Sequence, residues 1–531
     1  VFFLDNRPNI IIILNDDMGY SDLGCYGGEI ETPNLDRLAA NGIRFTQFYN
    51  TARCCPSRAS LLTGLHPHQT GIGILVEDQS PEGYAGNLSR SSVTIPEVLG
   101  QSGYRTYMTG KWHVATNKTE VTDAWPIQRG FDKFYGTIAG SANYYYPATL
   151  TRDNENIDDE ARDDPDYYYT DNISKQAAAY IREHVQECGE DPFFLYVAYT
   201  SPHWPLHALP EDIAKYKGRF DQGWDKLREE RLARMIAMGI IDPTWKLSDR
   251  DPNVLPWDDE PDKEYRLRCM EVYAAQIDRM DQGIGRILEA LETNGQLENT
   301  LILFLSDNGG CAEELKPGPG HALVRNKSAR SHTKYDEPVL FGNRPDVMPG
   351  PETTYQSYGI SWANTSNTPF RYYKHWTHEG GISTPFIAHW PQRITDKGEL
   401  RHTPGQLTDI MATVLEATEA SYPSEYKGHT IPPVEGCSML DLFERDTERG
   451  KPLFWEHEGN CAVRVGEWKL VSNYPDAWEL YNMDEDRTEL NNRSEDFPER
   501  VQEMSRQYEA WAERCGVIPR EVILEILNRK K

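Results

Sequence analysis

The sequence predicts an α/β fold: a large mixed sheet flanked by helices over residues 1–425, followed by a smaller C-terminal α+β unit, an antiparallel sheet plus a helix, over 426–531. Three observations predict it. Apolar runs without alternation at 9–14, 192–199 and 301–305 read as strands buried on both faces, as in parallel sheets. Segments with helical spacing separate those runs. Beyond about Tyr426 the apolar runs shorten and turn residues divide them, the pattern of an antiparallel sheet. A chain of 531 residues is too long for one compact core, and 38 % hydrophobic with 11 % aromatic residues supports a packed interior.

In chain order, residues 9–14 form the first strand, which ends at Asn15-Asp16-Asp17-Met18-Gly19. Residues 33–40 read as a helix with Pro33 at its first position, closed by Asn41-Gly42, and 43–49 as the next strand. Pro56 can open a helix because its missing N–H needs no partner there, which sets Cys54 at a helix N-terminus with Arg58 one turn in. Residues 95–102 read as helix and 104–108 as a short strand delivering Gly110-Lys111-Trp112-His113. Lys111 and His113, two apart on a strand end, can face one cleft. The strand at 192–199 runs into Ser201-Pro202-His203-Trp204-Pro205, where a histidine between two prolines is better placed for presentation than for packing.

Residues 209–261 are highly charged and read as an inserted mixture of helix and loop over the sheet. Residues 265–291 carry a helical apolar stripe that belongs to the core. The strand at 301–305 ends in Ser306-Asp307-Asn308-Gly309-Gly310, and 311–369 lacks periodicity and reads as a long loop region. Lys374 precedes the apolar segment 386–390, and a helix at 406–417 completes the large unit. In the small unit 462–465, 468–471 and 478–481 read as strands and 498–512 as an amphipathic helix.

A formal charge of −28 argues against nucleic-acid binding and against a polybasic membrane contact, and no apolar run is long enough to span a membrane. Nine cysteines, thinly spread and without Cys-x-x-Cys, form neither a disulfide framework nor a zinc finger. The chain begins at Val1 without Met, which fits a removed signal peptide and a periplasmic or secreted protein. Asp16, Asp17, Asp307 and Asn308, from two strand ends, make an all-oxygen set suited to Ca²⁺ or Mg²⁺ rather than zinc. Read alone, Asp16-Asp17 is more readily a solvated turn than a ligand pair, and Cys54 is equally a buried structural cysteine.

The string Cys54-Cys55-Pro56-Ser57-Arg58, continued by Ala59-Ser60-Leu61-Leu62-Thr63-Gly64, resembles the signature of type I sulfatases, whose first cysteine is oxidised to formylglycine by a formylglycine-generating enzyme. The resemblance extends through Thr32-Pro33-Asn34-Leu35-Asp36 and Lys217-Gly218-Arg219-Phe220 into Trp468-Lys469-Leu470-Val471 and Glu479-Leu480-Tyr481-Asn482, and points most nearly to bacterial arylsulfatases. It implies an alkaline-phosphatase-like core with a C-terminal antiparallel sheet and helix, and a sulfuric ester hydrolase acting on aryl sulfates or sulfated carbohydrates. It implies Asp16, Asp17, Asp307 and Asn308 as metal ligands, usually to calcium, with residue 54 touching the metal. Arg58 matches the residue bracing the formylglycine hydrate, and Lys111 and Lys374 match the lysines that grip sulfate. His113 matches the base of the elimination step and His203, with Lys374, the acid for the leaving group; Asp307 helps activate the attacking hydroxyl.

Two alternatives stand beside this reading: a phosphonate or phosphate ester hydrolase of the same superfamily, and a non-catalytic sulfate-binding protein. The phosphate-directed relatives carry Asp-His where this chain has Asp307-Asn308, and a binding protein need not keep Cys54-x-Pro56-x-Arg58. The long loops suggest a pocket for one terminal sulfated ring, walled by Tyr144-Tyr145-Tyr146 and the loop around His321.

Overall fold

A computed structural model describes residues 6–530, so Val1, on which the removed-leader reading rests, lies outside the described residues. The run at 9–14 becomes the central strand Asn9–Asn15, paired in parallel with Phe193–Ala198 on one side and Thr300–Ser306 on the other. Arg105–Lys111 and Lys133–Thr137 continue the parallel array, and Ser383–His389 joins its other side antiparallel to both neighbours. With Ile43–Tyr49 and short edge strands the sheet has 11 strands and is mixed, as the sequence predicts.

Alternation across the central strand divides the core. Ile10, Ile12 and Leu14 pack with Leu61, Leu62, Val98 and Val414 on one face, while Ile11 and Ile13 pack with Ile173, Ala177, Ile277 and Ile284 on the other. Helices Cys54–Thr63, Ile95–Gln101 and Thr408–Thr418 therefore cover the first face, and Pro33–Ala40, Tyr169–Cys188 and Lys263–Thr293 the second.

The small unit is a four-stranded antiparallel meander, Leu453–His457, Asn460–Val465, Trp468–Ser472 and Glu479–Asn482, with helix Pro498–Cys515 on one face. Met504 from that helix packs on Val463, Trp468, Leu470 and Leu480. The opposite face, Trp455, Ala462, Val471 and Tyr481, packs on Tyr49, Ala52 and Ile382 of the large unit, and Trp455 Nε1–H donates to the Asn50 carbonyl at 2.8 Å.

Two expectations need correction. The helix at the cysteine pair begins at Cys54 and not at Pro56; Pro56 still fits because first-turn N–H groups have no helical acceptor. Residues 311–369 contain short helices His321–Arg325 and Gly359–Ser366 and a parallel strand pair, Leu340–Phe341 with Thr354–Tyr355. Gly359–Ser366 is buried nearly all round, which removes the periodicity by which a helix is read. Strand Leu453–His457, with its charged Glu456, and the final helix Arg520–Arg529 had no clear sequence signal. All nine cysteines are free.

Candidate active site

The residues that leave the carboxyl ends of the central strands turn polar at once, where open α/β sheets hold ligands. Asp16 and Asp17 follow Asn9–Asn15, Asp17 at φ 67°, and Asp307 and Asn308 follow Thr300–Ser306. Asp17 N–H donates to Asp307 Oδ1 at 3.2 Å, and Asn308 Nδ2 donates to Asp17 Oδ1 at 2.6 Å. All four residues are buried.

Cys54 is the first residue of its helix and is 4 % exposed. Arg58, one turn on, places Nη2 at 2.8 Å from Asp307 Oδ2 and 3.7 Å from Asp16 Oδ2, and Nη1 donates to the Lys111 carbonyl at 3.2 Å. Its hydrogen bonds thus brace the carboxylates and the Lys111 backbone. Lys111 ends strand Arg105–Lys111 with Nζ 2.6 Å from Asp16 Oδ2. His113 follows at φ 57°, and a ring nitrogen of it lies with the Cys54 and Cys55 sulfurs inside a 4.8 Å group. Gly140 makes room for that ring: a Cβ there would stand 2.2 Å from His113 Nε2.

Lys374 Nζ lies 3.1 Å from Asp17 Oδ1 and 3.5 Å from His203 Nε2. His203 Nε2 is 3.4 Å from Asp17 Oδ2, and its Nδ1–H donates to the Trp204 carbonyl at 2.6 Å. All ten residues singled out from the sequence, Asp16, Asp17, Cys54, Arg58, Lys111, His113, His203, Asp307, Asn308 and Lys374, therefore meet in one buried cluster.

The electrostatics follow from burial and company. A hydrogen bond from Cys55, reinforced by Lys111, His113 and Lys374, pulls the Cys54 thiol well below its usual range. Burial, helped by Lys111 and Arg58 at His113 and by Lys374 and Lys111 at His203, pulls His113 down to about 3 and His203 to about 4, so both rings are neutral near pH 7. Burial and the neighbouring Asp16 push Asp307 well up, and burial also raises Asp16. Asp17 goes the other way, because Lys374 and His203 outweigh its burial. Asp16 Oδ1 and Asn308 Oδ1 are buried without a hydrogen-bond partner among the described residues. Two orphaned oxygens in an all-oxygen group fit a hard divalent cation, since buried polar atoms are otherwise almost always paired.

Sequence reasoning missed Glu313. It accepts from Trp204 Nε1 at 2.9 Å, lies 3.4 Å from Arg53 Nη2, and is drawn down to about 2 by Lys374 and Arg53 against its burial. Nothing in the aperiodic stretch after Asp307 marks it. Tyr144, expected as a pocket wall, is instead buried behind the site: its hydroxyl donates to the His203 carbonyl at 2.8 Å. Tyr146 lies under the Arg330 guanidinium, and His321 is exposed at the start of its short helix. A roomy cleft of about 950 Å³, lined by His68, Asn87, Arg90 and Arg514, holds none of the ten residues.

The sequence matches the Sulfatase family over residues 8–420 and, over 370–512, the family described as N-sulphoglucosamine sulphohydrolase, C-terminal. It is 31 % identical to an uncharacterized sulfatase of Schizosaccharomyces pombe, covering 96 % of this chain and 94 % of that one. It is 33 % identical to an arylsulfatase of Klebsiella aerogenes, covering 82 % and 91 %. The crystal structure of Ps i-CgsB in complex with k-i-k-neocarrahexaose superposes with a TM-score of 0.67 at 25 % identity, over 95 % of this chain and 93 % of the other.

Proposed function

The chain belongs to the sulfatase family and hydrolyses sulfuric esters; from that premise we propose that residue 54, matured from cysteine to formylglycine, is its reaction centre. Asp16, Asp17, Asp307 and Asn308 would hold a calcium ion against it. The observation that carries the reading is the meeting of Cys54, two lysines, two histidines and this oxygen set in one buried cluster. When present, the cation and the hydrated aldehyde supply a Lewis acid and an oxygen nucleophile whose second hydroxyl permits release of sulfate.

The remaining work falls to ordinary side chains. Lys111 on Asp16 and Lys374 on Asp17 offer ammonium donors to the sulfuryl oxygens, charge aimed where it is needed and already paid for by folding. Arg58 fixes the Asp307 carboxylate. His113 is neutral, and its Nδ1 has no hydrogen-bond partner among the described residues, so the ring can take a proton beside residue 54. His203 has Nδ1–H tied to the Trp204 carbonyl, which leaves Nε2 facing the Lys374 ammonium; together they deliver a proton to the departing oxygen.

The proposed substrate is an aryl sulfate or one terminal sulfated sugar ring. Arg53 and Glu313, with side chains 19 % and 36 % exposed, support the sugar by offering donors and an acceptor to ring hydroxyls. We divide the chain near residue 425, close to the end of the first family match at 420, while the second match, over 370–512, runs across that point. No helix among the described residues is long and apolar enough to cross a membrane, and a periplasmic or secreted location is proposed with maturation by a formylglycine-generating enzyme.

The test is hydrolysis of the sulfated and phosphorylated forms of one phenol beside sulfated mono- and oligosaccharides, with mass analysis of the peptide containing residue 54. Preference for sulfate together with an aldehyde at position 54 is expected. Preference for phosphate from aldehyde-bearing protein, or tight sulfate binding without turnover, would favour one of the two alternatives. Efficient release of sulfate from the middle of a long polymer would defeat the single-ring pocket.

A further inference from the structure

A second group of metal-binding side chains lies outside this cluster, where the loop after Lys374 meets the hairpin joining Leu453–His457 to Asn460–Val465. His375 Nδ1 is 2.9 Å from Glu458 Oε2, and His457 Nε2 is 3.5 Å from the same oxygen. One donor atom from each residue lies within 4.8 Å of the other two. Donors held tetrahedrally about zinc at ~2.0–2.1 Å stand roughly 3.3–3.4 Å apart, so the two measured separations already bracket that spacing.

His457 is the second, independent observation. The ring is fully buried, and neither of its nitrogens has a hydrogen-bond partner among the described residues. A buried imidazole with both nitrogens unpaired is a costly arrangement in a native core, and metal ligation satisfies one of them. Glu458 is oriented for the same purpose. Arg520 Nη2 takes its Oε1 at 3.1 Å, leaving Oε2 to the two histidines, the outer-sphere support common around metal-bound carboxylates.

The backbone holds the group in place. His375 and Glu458 both sit at positive φ, 94° and 50°, conformations that non-glycine residues keep only when their surroundings impose them. His375 N–H donates to the Ala52 carbonyl at 2.7 Å, and Asn460 Nδ2 donates to the His375 carbonyl at 3.2 Å. Side chains 30 % and 20 % exposed at His375 and Glu458 leave a path for an ion.

We propose that His375, His457 and Glu458 form a Zn²⁺ site with one coordination position open to solvent, clamping the Lys374 loop to the small sheet. Two imidazoles and one carboxylate select zinc over calcium, whereas the all-oxygen group at Asp16 and Asp307 selects the reverse. Two cations of different hardness would thus flank the same loop.

The test uses the full chain carrying Cys54→Ser, with Ca²⁺ saturating, so that the thiol at residue 54 and the oxygen site do not compete. One equivalent of Zn²⁺ should survive dialysis, and Co²⁺ in its place should show the visible bands of four-coordinate geometry. His375→Asn and His457→Gln should each weaken Zn²⁺ binding by more than the ~10–100-fold lost with an outer-sphere partner. His375→Asn alters a part-exposed ring, so its folding, checked by a cooperative melt, keeps the comparison valid if His457→Gln fails to fold. No retained zinc in the Cys54→Ser chain, or retention unchanged in His375→Asn, would overturn the proposal.

Discussion

Beneath the small sheet, the Glu379 carboxylate is met by Lys469 at 2.9 Å, Arg487 at 3.1 Å and the Tyr49 hydroxyl at 2.5 Å, all of them buried. At the ends of the central strands, equally buried, Asp16 and Asn308 each keep an oxygen without a protein partner. Lys469 and Arg487 hold Glu379 down to about 2 against its burial, whereas Asp16 and Asp307 are pushed up. The difference separates two uses of buried charge. The first cluster closes both oxygens of its Glu379 carboxylate with protein partners and fastens two sheets together; the second leaves oxygens for groups that come from outside the fold.

The largest expected effect tests the open cluster. Cys54→Ala should lower turnover of an aryl sulfate by at least about 10⁴-fold, as loss of a nucleophile leaves only binding and electrostatics. Its melting temperature should barely move, and substantial residual turnover would remove residue 54 from the chemistry. The closed cluster should respond the opposite way. Lys469→Met leaves Glu379 and Glu489 buried without their ammonium, and denaturant titration should show a loss of about 3–5 kcal/mol with turnover per folded molecule retained. A loss below about 1 kcal/mol would mean that this pairing only breaks even.

His203→Gln should reduce turnover on the order of 10²-fold for sulfate esters of poor leaving groups and less for activated phenols. An equal loss for both would make His203 a positioning residue. The smallest effect is one of pH. Burial holds His207 at about 4 in the folded chain against 6.5 unfolded, with Nε2–H given to the Thr354 carbonyl and Nδ1 accepting from Tyr144 N–H. The unfolded chain therefore binds the proton first. Stability from this ring is complete above pH 6.5 and drains as pH falls toward about 4, whereas that from Glu379 drains from about 4.5 toward about 2. His207→Gln should flatten the stability profile in the higher window and leave the lower one unchanged.

How much of this was legible varies with the physical cause. The strands at 9–14 and 301–305 could be read because a strand buried on both faces needs unbroken β-branched and aromatic residues, and their ends marked the oxygen set. His203 could be placed by its prolines, and Cys54 by a long string of fixed spacing. Glu313 could not, since it reaches the site from an aperiodic loop whose path depends on Trp204 and Arg53. Helix Gly359–Ser366 hid because burial on all sides erases periodicity. Tyr144 shows the converse error: three tyrosines in a row look like a binding wall, yet the hydroxyl of the first spends itself on a backbone carbonyl behind His203.

The contact between Trp455 and the Asn50 carbonyl also sets a clock during synthesis. The segment leading into Cys54 leaves the ribosome about 400 residues before the indole that bonds Asn50, roughly 20–80 s at the ~5–20 residues per second of translation. For that interval the small sheet is not yet docked on this segment, and in the folded chain the thiol is 4 % exposed. The oxidation of residue 54 proposed above would have to act on the growing or newly released chain, so slower elongation should raise the fraction of converted molecules without any change in sequence.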